Sequence, residues 1–145
     1  MVFIFALING VQVSKYAIFA PLLMIELYIF SLGVAFILAT LFVRFRDISP
    51  IWEVVMQAGM YATPIIYPLT MVSDSNPTAA KLIMMNPLAQ IIQDMRFIFI
   101  SDQNVIVSQL VSWKYFIIPY IIPIIIFIIG YKVFKHNSQK FAEIL

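Results

Sequence analysis

Cysteine is missing from this chain, histidine occurs once, and charge is scarce, at 11% of 145 residues. Without cysteine neither a disulfide frame nor a thiolate metal site can form, and the single His136 cannot build a histidine-rich one. The net charge of +2 is too small to hold a nucleic-acid backbone, and the lysines and arginines stand at the ends of apolar runs rather than in a patch. Phosphate-loop, serine-elbow and zinc-protease strings are missing as well. A histidine base would need an acid such as Asp94 or Asp102, and nothing pairs these with it; both read as solvated surface acids. These absences argue against an enzyme. No catalytic, cofactor-binding or metal-binding residue is assigned, and any ATP site is expected on a separate subunit.

What is present is apolar length. The chain is 63% hydrophobic with a mean hydropathy of +0.98, where soluble domains run at about 45–50% apolar. No charged residue falls in 27–43, 54–72 or 115–131, and a helix needs about 20 apolar residues to cross a bilayer. The expected fold is an all-α polytopic membrane domain over 1–145. It would have three full spans, at about 16–43, 50–69 and 115–134, with a partial N-terminal span and two short outer amphipathic helices. The run after Met1 has neither a basic leader nor a cleavage site, so the chain is expected to begin inside a helix of a longer protein.

Charge sets the direction. Arg44, Arg46 and Asp47 sit in a tight turn between the first two spans, and Lys132, Lys135, His136 and Lys140 follow the last. Short basic loops stay on the cytoplasmic side. The turn at 44–50 and a tail at 132–145 are therefore placed inside the cell, and the segment 70–113 outside.

Within this frame several residues stand out. Glu26 interrupts the first span, where a carboxylate needs a partner, a proton or a wet path. Gly33 would let another helix approach closely. Ser49, Pro50 and Glu53 read as N-cap, first residue and first-turn acid of the second span, which Pro64 and Pro68 kink or end. Residues 73–77 read as a loop. Asn76-Pro77 and Asn86-Pro87 each read as an N-cap followed by the first helical residue. The second of these opens an amphipathic helix over 88–100, with Gln90, Gln93 and Asp94 on its polar face and Arg96 able to meet a phosphate or a sugar hydroxyl. Pro119 and Pro123 would kink the last span. The rings of Tyr61, Tyr67, Phe97, Phe99, Trp113, Tyr115, Phe116 and Tyr120 form either an interfacial belt or a set of faces for sugar stacking.

The order of three motifs resembles one transporter family. The sequence Val43-Arg44-Phe45-Arg46-Asp47-Ile48 is followed by Thr63-Pro64-Ile65-Ile66-Tyr67-Pro68, then by Asn86-Pro87-Leu88 opening a helix. Over roughly 9–135 this is similar to the type-2 ATP-binding-cassette permeases that export polysaccharide, O-antigen and teichoic acid. The resemblance implies the last three of six spans and a homodimer of the permease. It also implies a partner ATPase that binds the ATP, and a lipid-linked glycan or polyol-phosphate polymer as cargo. The helices near 78–85 and 88–100 would be outer gate helices. Glu26, Tyr61, Pro64, Tyr67, Asn86, Pro87, Arg96, Pro119 and Pro123 would be candidates for the conduit and gate. A membrane scaffold is the rival reading; a membrane glycosyl- or acyltransferase is disfavoured for want of an acid–base cluster.

Overall fold

A computed structural model describes residues 15–45, 47–100, 104, 106–112 and 115–144. The partial span expected at the N-terminus, Arg46, Asp102, Trp113 and Lys114 lie outside the described residues. Everything described is helix or turn, with no strand among the described residues. A 3-10 turn at Lys15–Phe19 leads into α1 (Ala20–Arg44); α2 (Ile48–Ala62), α3 (Leu69–Ser75), α4 (Pro77–Met84), α5 (Pro87–Phe99), α6 (Val107–Leu110) and α7 (Ile118–Ile144) follow.

Two stretches, Tyr16–Arg44 and Ile118–Ser138, are long and apolar enough to cross a membrane. Both show lipid-compatible side chains around most of their surface, Leu22, Ile25 and Tyr28 on α1 and Ile121, Ile125 and Ile129 on α7 among them. They pack on each other in parallel. Gly33 meets the backbone at Phe127 and Gly130, and Phe36 lies 6.1, 6.0 and 5.2 Å from the rings of Phe127, Tyr131 and Phe134. Near the other end Glu26 is within electrostatic reach of Tyr120. Later residues of α1 thus meet later residues of α7. The end where both helices start is called the head below, and the end where both finish the foot. Hydroxyls inside the apolar runs are satisfied locally: Ser31 donates to the Leu27 carbonyl at 2.8 Å and Thr40 to Phe36 at 3.1 Å.

Parallel helices joined in sequence require the chain to come back from foot to head. That return is made by α2, whose residues 48–55 run along 34–41 of α1, and by the turn that follows it. The 15 residues of α2 rise about 22 Å, short of the roughly 30 Å hydrocarbon core. The span expected over 50–69 is thus interrupted: α2 stops at Ala62, and 63–68 are turn. Its start also differs. Asp47, not Ser49, is the N-cap, without a side-chain cap bond, and Pro50 is the third helical residue. A proline is tolerated there because the amides of the first turn have no intrahelical acceptor. Glu53 accordingly falls beyond the first turn.

At the head, α3, α4 and α6 share a small core of Leu69, Ala80, Met84, Val107 and Val111. Residues 73–75, expected in a loop, belong to α3, because their side chains extend a helix whose buried residue is Leu69. Ser73 and Ser75 return their hydroxyls to the carbonyls of Thr70 and Met71. Both Asn-Pro helix starts form as the sequence suggests. Asn76 accepts from the amides of Thr78 and Ala79, Asn86 accepts from Leu88, and Pro77 and Pro87 open α4 and α5. The last helix departs from expectation at both ends. Pro119 stands at its second residue and starts it rather than kinking it, while Pro123 is carried inside. The tail at 132–145 continues the same helix to Ile144 instead of leaving it.

The two interhelical glycine positions and the free one make a matched test. A Cβ at Gly33 would stand 2.6 Å from the Phe127 amide nitrogen and 2.7 Å from its Cα, whereas a Cβ at Gly59 would meet nothing within 4 Å. Gly33→Ala is expected to cost about 1–3 kcal/mol by overpacking. Gly59→Ala should instead gain about 0.5–1 kcal/mol from helix propensity. Unfolding in mixed micelles reads both; equal effects of one sign would contradict the close α1–α7 approach.

Candidate functional site

The break after α2 is where most of the singled-out residues converge. A helix that stops leaves carbonyls without intrahelical partners, and in an apolar medium each must find a donor. Here the donors can be followed one by one. The Thr63 amide donates to the Gly59 carbonyl at 2.9 Å, and Ile65 N donates to the Thr63 carbonyl at 2.7 Å. The Tyr67 hydroxyl reaches back across the turn to the Tyr61 carbonyl at 3.1 Å. Arg96 of α5 then supplies two donors of its guanidinium, 2.7 Å to the Pro64 carbonyl and 2.7 Å to the Ile65 carbonyl. The planar fork of arginine suits two neighbouring acceptors in a way a lysine could not.

Asn86 does double work at the same place. Its Oδ1 caps α5 by accepting from Leu88 N at 3.0 Å, while its Nδ2 donates to Thr63 Oγ1 at 3.2 Å. Thr63 and Pro64 are fully buried, and Pro87 is buried at the first position of α5. Tyr61, Pro64, Tyr67, Asn86, Pro87 and Arg96 therefore form one joint between the end of α2 and both ends of α5. Arg96, read from the sequence as able to meet a phosphate or a sugar hydroxyl, turns its fork to two backbone carbonyls. Arg44 and Asp47 lie at the foot, with the Arg44 guanidinium 5.6 Å from the Phe45 ring centroid.

A second cluster sits where α5 crosses the pair. The amphipathic pattern suggested that Gln90, Gln93 and Asp94 face water. They are buried instead, at 0%, 2% and 8% exposure. The reason is that α1 and α7 present Glu26 and Tyr120 to this face of α5. Asp94 Oδ2 accepts from Gln90 Nε2 at 2.7 Å and from the Tyr120 hydroxyl at 2.7 Å. Glu26 is within electrostatic reach of Asp94 and close to Gln90. Burial pushes the Asp94 carboxyl above the usual carboxylate range, against the two hydrogen bonds that pull it down. Glu26 Oε1, Gln90 Oε1 and Gln93 Oε1 are buried acceptors with no donor among the described residues. Pro119 and Pro123 are buried in the first turns of α7 but belong to neither hydrogen-bonded group.

Above this cluster a groove of about 490 Å³ opens at the head, with Asp94 and Tyr120 at its polar side and Tyr16, Phe97 and Phe116 among its walls. Tyr16 and Phe97 rings stand 5.8 Å apart, and Phe116 and Tyr120 rings 5.3 Å apart. Three of the eight aromatic residues flagged in the sequence, Phe97, Phe116 and Tyr120, thus line one concavity. Thr63, Gln90, Gln93 and Asp94 were not assigned a role from the sequence. The readable signal was the three-residue polar face of 88–100, which matched a half-buried carboxylate at Glu26 as well as it matched water.

Two O-antigen export system permease proteins RfbA of Klebsiella pneumoniae are 31% and 30% identical to this chain over 125 residues, 86% of the chain. A third, from Myxococcus xanthus, is 23% identical over 123 residues, 85% of the chain. Over this length the chain is similar to permease proteins named for O-antigen export. It spans 44% of the length of the two Klebsiella relatives and 45% of the third. No family model matches, and no solved structure does. Similarity to permeases, together with two apolar helices of crossing length among the described residues, supports a membrane location.

The joint yields a direct expectation. Arg96→Ala removes both donors to the break and should cost about 2 kcal/mol, the scale of hydrogen bonds from a charged group. Arg96→Lys should restore part of it, since an ammonium cannot reproduce the fork. Amide exchange over 63–68 and 87–99 in detergent should rise together in Arg96→Ala. Exchange confined to one of the two segments would mean that the guanidinium does not join them.

Proposed function

We propose that this chain is the part of an ATP-binding-cassette export permease that carries its last three spans and its outer gate. The observation that carries the reading is its alignment, over 86% of its length, with permeases named for O-antigen export. The joint adds a physical role: α5 is fastened to the break in α2 and lies over the heads of α1 and α7, so it can cover a conduit between spans. In this reading α2 and the turn to Leu69 together make the third crossing, which the parallel α1 and α7 require. Arg44, Arg46 and Asp47 face the cytoplasm and the ATPase subunit, which alone binds ATP. The permease works as a homodimer. Its cargo is a lipid-linked polysaccharide or polyol-phosphate polymer, for which the ring-walled, largely apolar groove at the head offers faces to sugar rings, with Asp94 and Tyr120 at its polar side for a hydroxyl.

Two experiments test this. Cysteines at Ser49, Ser75 and Ser138, each introduced singly into this cysteine-free chain, should label from the inside, the outside and the inside of sealed vesicles. Ser75 and Ser138 labelling from one side would remove the topology. In the full-length exporter, a reducible bifunctional thiol cross-link spanning the groove between Phe97→Cys on α5 and Phe116→Cys, just before α7, should hold α5 in place and stop export, with reductant restoring it and ATP binding unchanged throughout. Export at the normal rate through the pinned form would end the gate role while leaving the topology intact.

A further inference from the structure

The foot of α7 carries a feature that neither the gate nor the groove uses. Lys132, Lys135 and His136 are spaced three and four apart, which places them side by side on one helix face. All three are exposed. The opposite face of the same turns is occupied: Gly130 packs on Gly33, and Phe134 on Phe36. The basic face therefore points away from α1, to whatever surrounds the pair.

Its depth is set by the parallel register. Phe134 stands beside Phe36, and α1 continues without a charged side chain from there to Arg44. Gly33 packs against 127–130 and the Phe36 ring against 127–134, so the middle of the basic face falls near residue 39 of α1, about 7 Å inward of Arg44 at the helical rise. Side chains of a helix lean toward its N-terminus, which on α7 is toward the bilayer interior. Lys135 does so: its ammonium lies 6.0 Å from the centroid of the Tyr131 ring, one turn back. Among the described residues neither lysine meets a carboxylate within ion-pair distance. Cationic groups at such a depth are costly unless an anion reaches them.

We propose that the Lys132–Lys135–His136 face of α7 binds the phosphate of a membrane lipid in the leaflet at the foot of the pair. A lipid suits this place better than a free anion because the face opens sideways into the bilayer, α1 closing the other side. Charge complementarity chooses an anionic headgroup, and the apolar residues one and two turns toward the head, Ile128 and Ile125, are exposed to run beside its chains. The inference does not depend on what the permease exports.

The test uses the chain in phosphatidylcholine nanodiscs doped with spin-labelled phosphatidic acid or spin-labelled phosphatidylcholine. The motionally restricted fraction should favour phosphatidic acid, by about 5-fold for each lysine. Lys132→Gln/Lys135→Gln should abolish the preference, and Lys132→Arg/Lys135→Arg should keep it, with helicity by circular dichroism equal in all three. Excess inorganic phosphate should leave the restricted fraction unchanged. Persistence of the preference in the double glutamine variant overturns the proposal, and displacement by inorganic phosphate overturns the lipid assignment. If the glutamine variant misassembles, the unaltered chain decides: equal restriction of the two lipids overturns it.

Discussion

Two hydrogen bonds from one guanidinium hold the head of this structure to its return helix. When α2 stops at Ala62 the chain still has to reach the head, and the turn that takes it there exposes carbonyls at Pro64 and Ile65. A lipid environment offers them no water, so a donor must come from the protein. Arg96 arrives from α5, which is itself started by Asn86, and Asn86 also donates to Thr63 in the break. Cap, break and fork thus depend on one another. Asn86 fixes where α5 begins, that start fixes where Arg96 falls three turns later, and Arg96 makes the interruption of α2 tolerable.

Several parts of this arrangement were legible in the residues, for reasons that can be named. The Asn-Pro starts of α4 and α5 are local chemistry: a side-chain acceptor followed by a residue with no amide to lose. The break at Pro64 is also local, since proline cannot extend the helix. Gly33 was readable as a place of close approach, because a glycine amid bulky apolar residues has few other uses. Its counterpart Gly130 carried the same signal within 115–131. Boundaries were less legible where two tolerated alternatives existed, as with Asp47 or Ser49 at the start of α2, or Pro119 as kink or start.

The burial of α5 could not be read from its own pattern. Periodicity says that Gln90, Gln93 and Asp94 share a face; it does not say whether that face meets water or another polar face. The answer lies in the tertiary placement of Glu26 and Tyr120, from segments far away in the sequence. Arg96 posed the same problem. A lone arginine between apolar residues fits a ligand site and a backbone clasp equally, and its choice is made by carbonyls 32 and 31 residues away.

The parallel pairing of α1 and α7 is the remaining constraint, and it links the two ends. Glycine contact lets the backbones touch at Gly33 and Gly130, and the ladder of Phe36, Phe127, Tyr131 and Phe134 fixes the offset between them. One offset then has two effects. At the head it brings Tyr120 opposite Glu26, so that α5 finds a polar seat and can lie across both helices. At the foot it leaves the apolar end of α1 extending past the first lysines of α7. Sliding α7 toward the foot would move the lysines toward Arg44 but would take Tyr120 away from Asp94 and separate the two glycines. The head cluster, the glycine contact and the depth of the basic face are consequences of a single register, and none can change without the others.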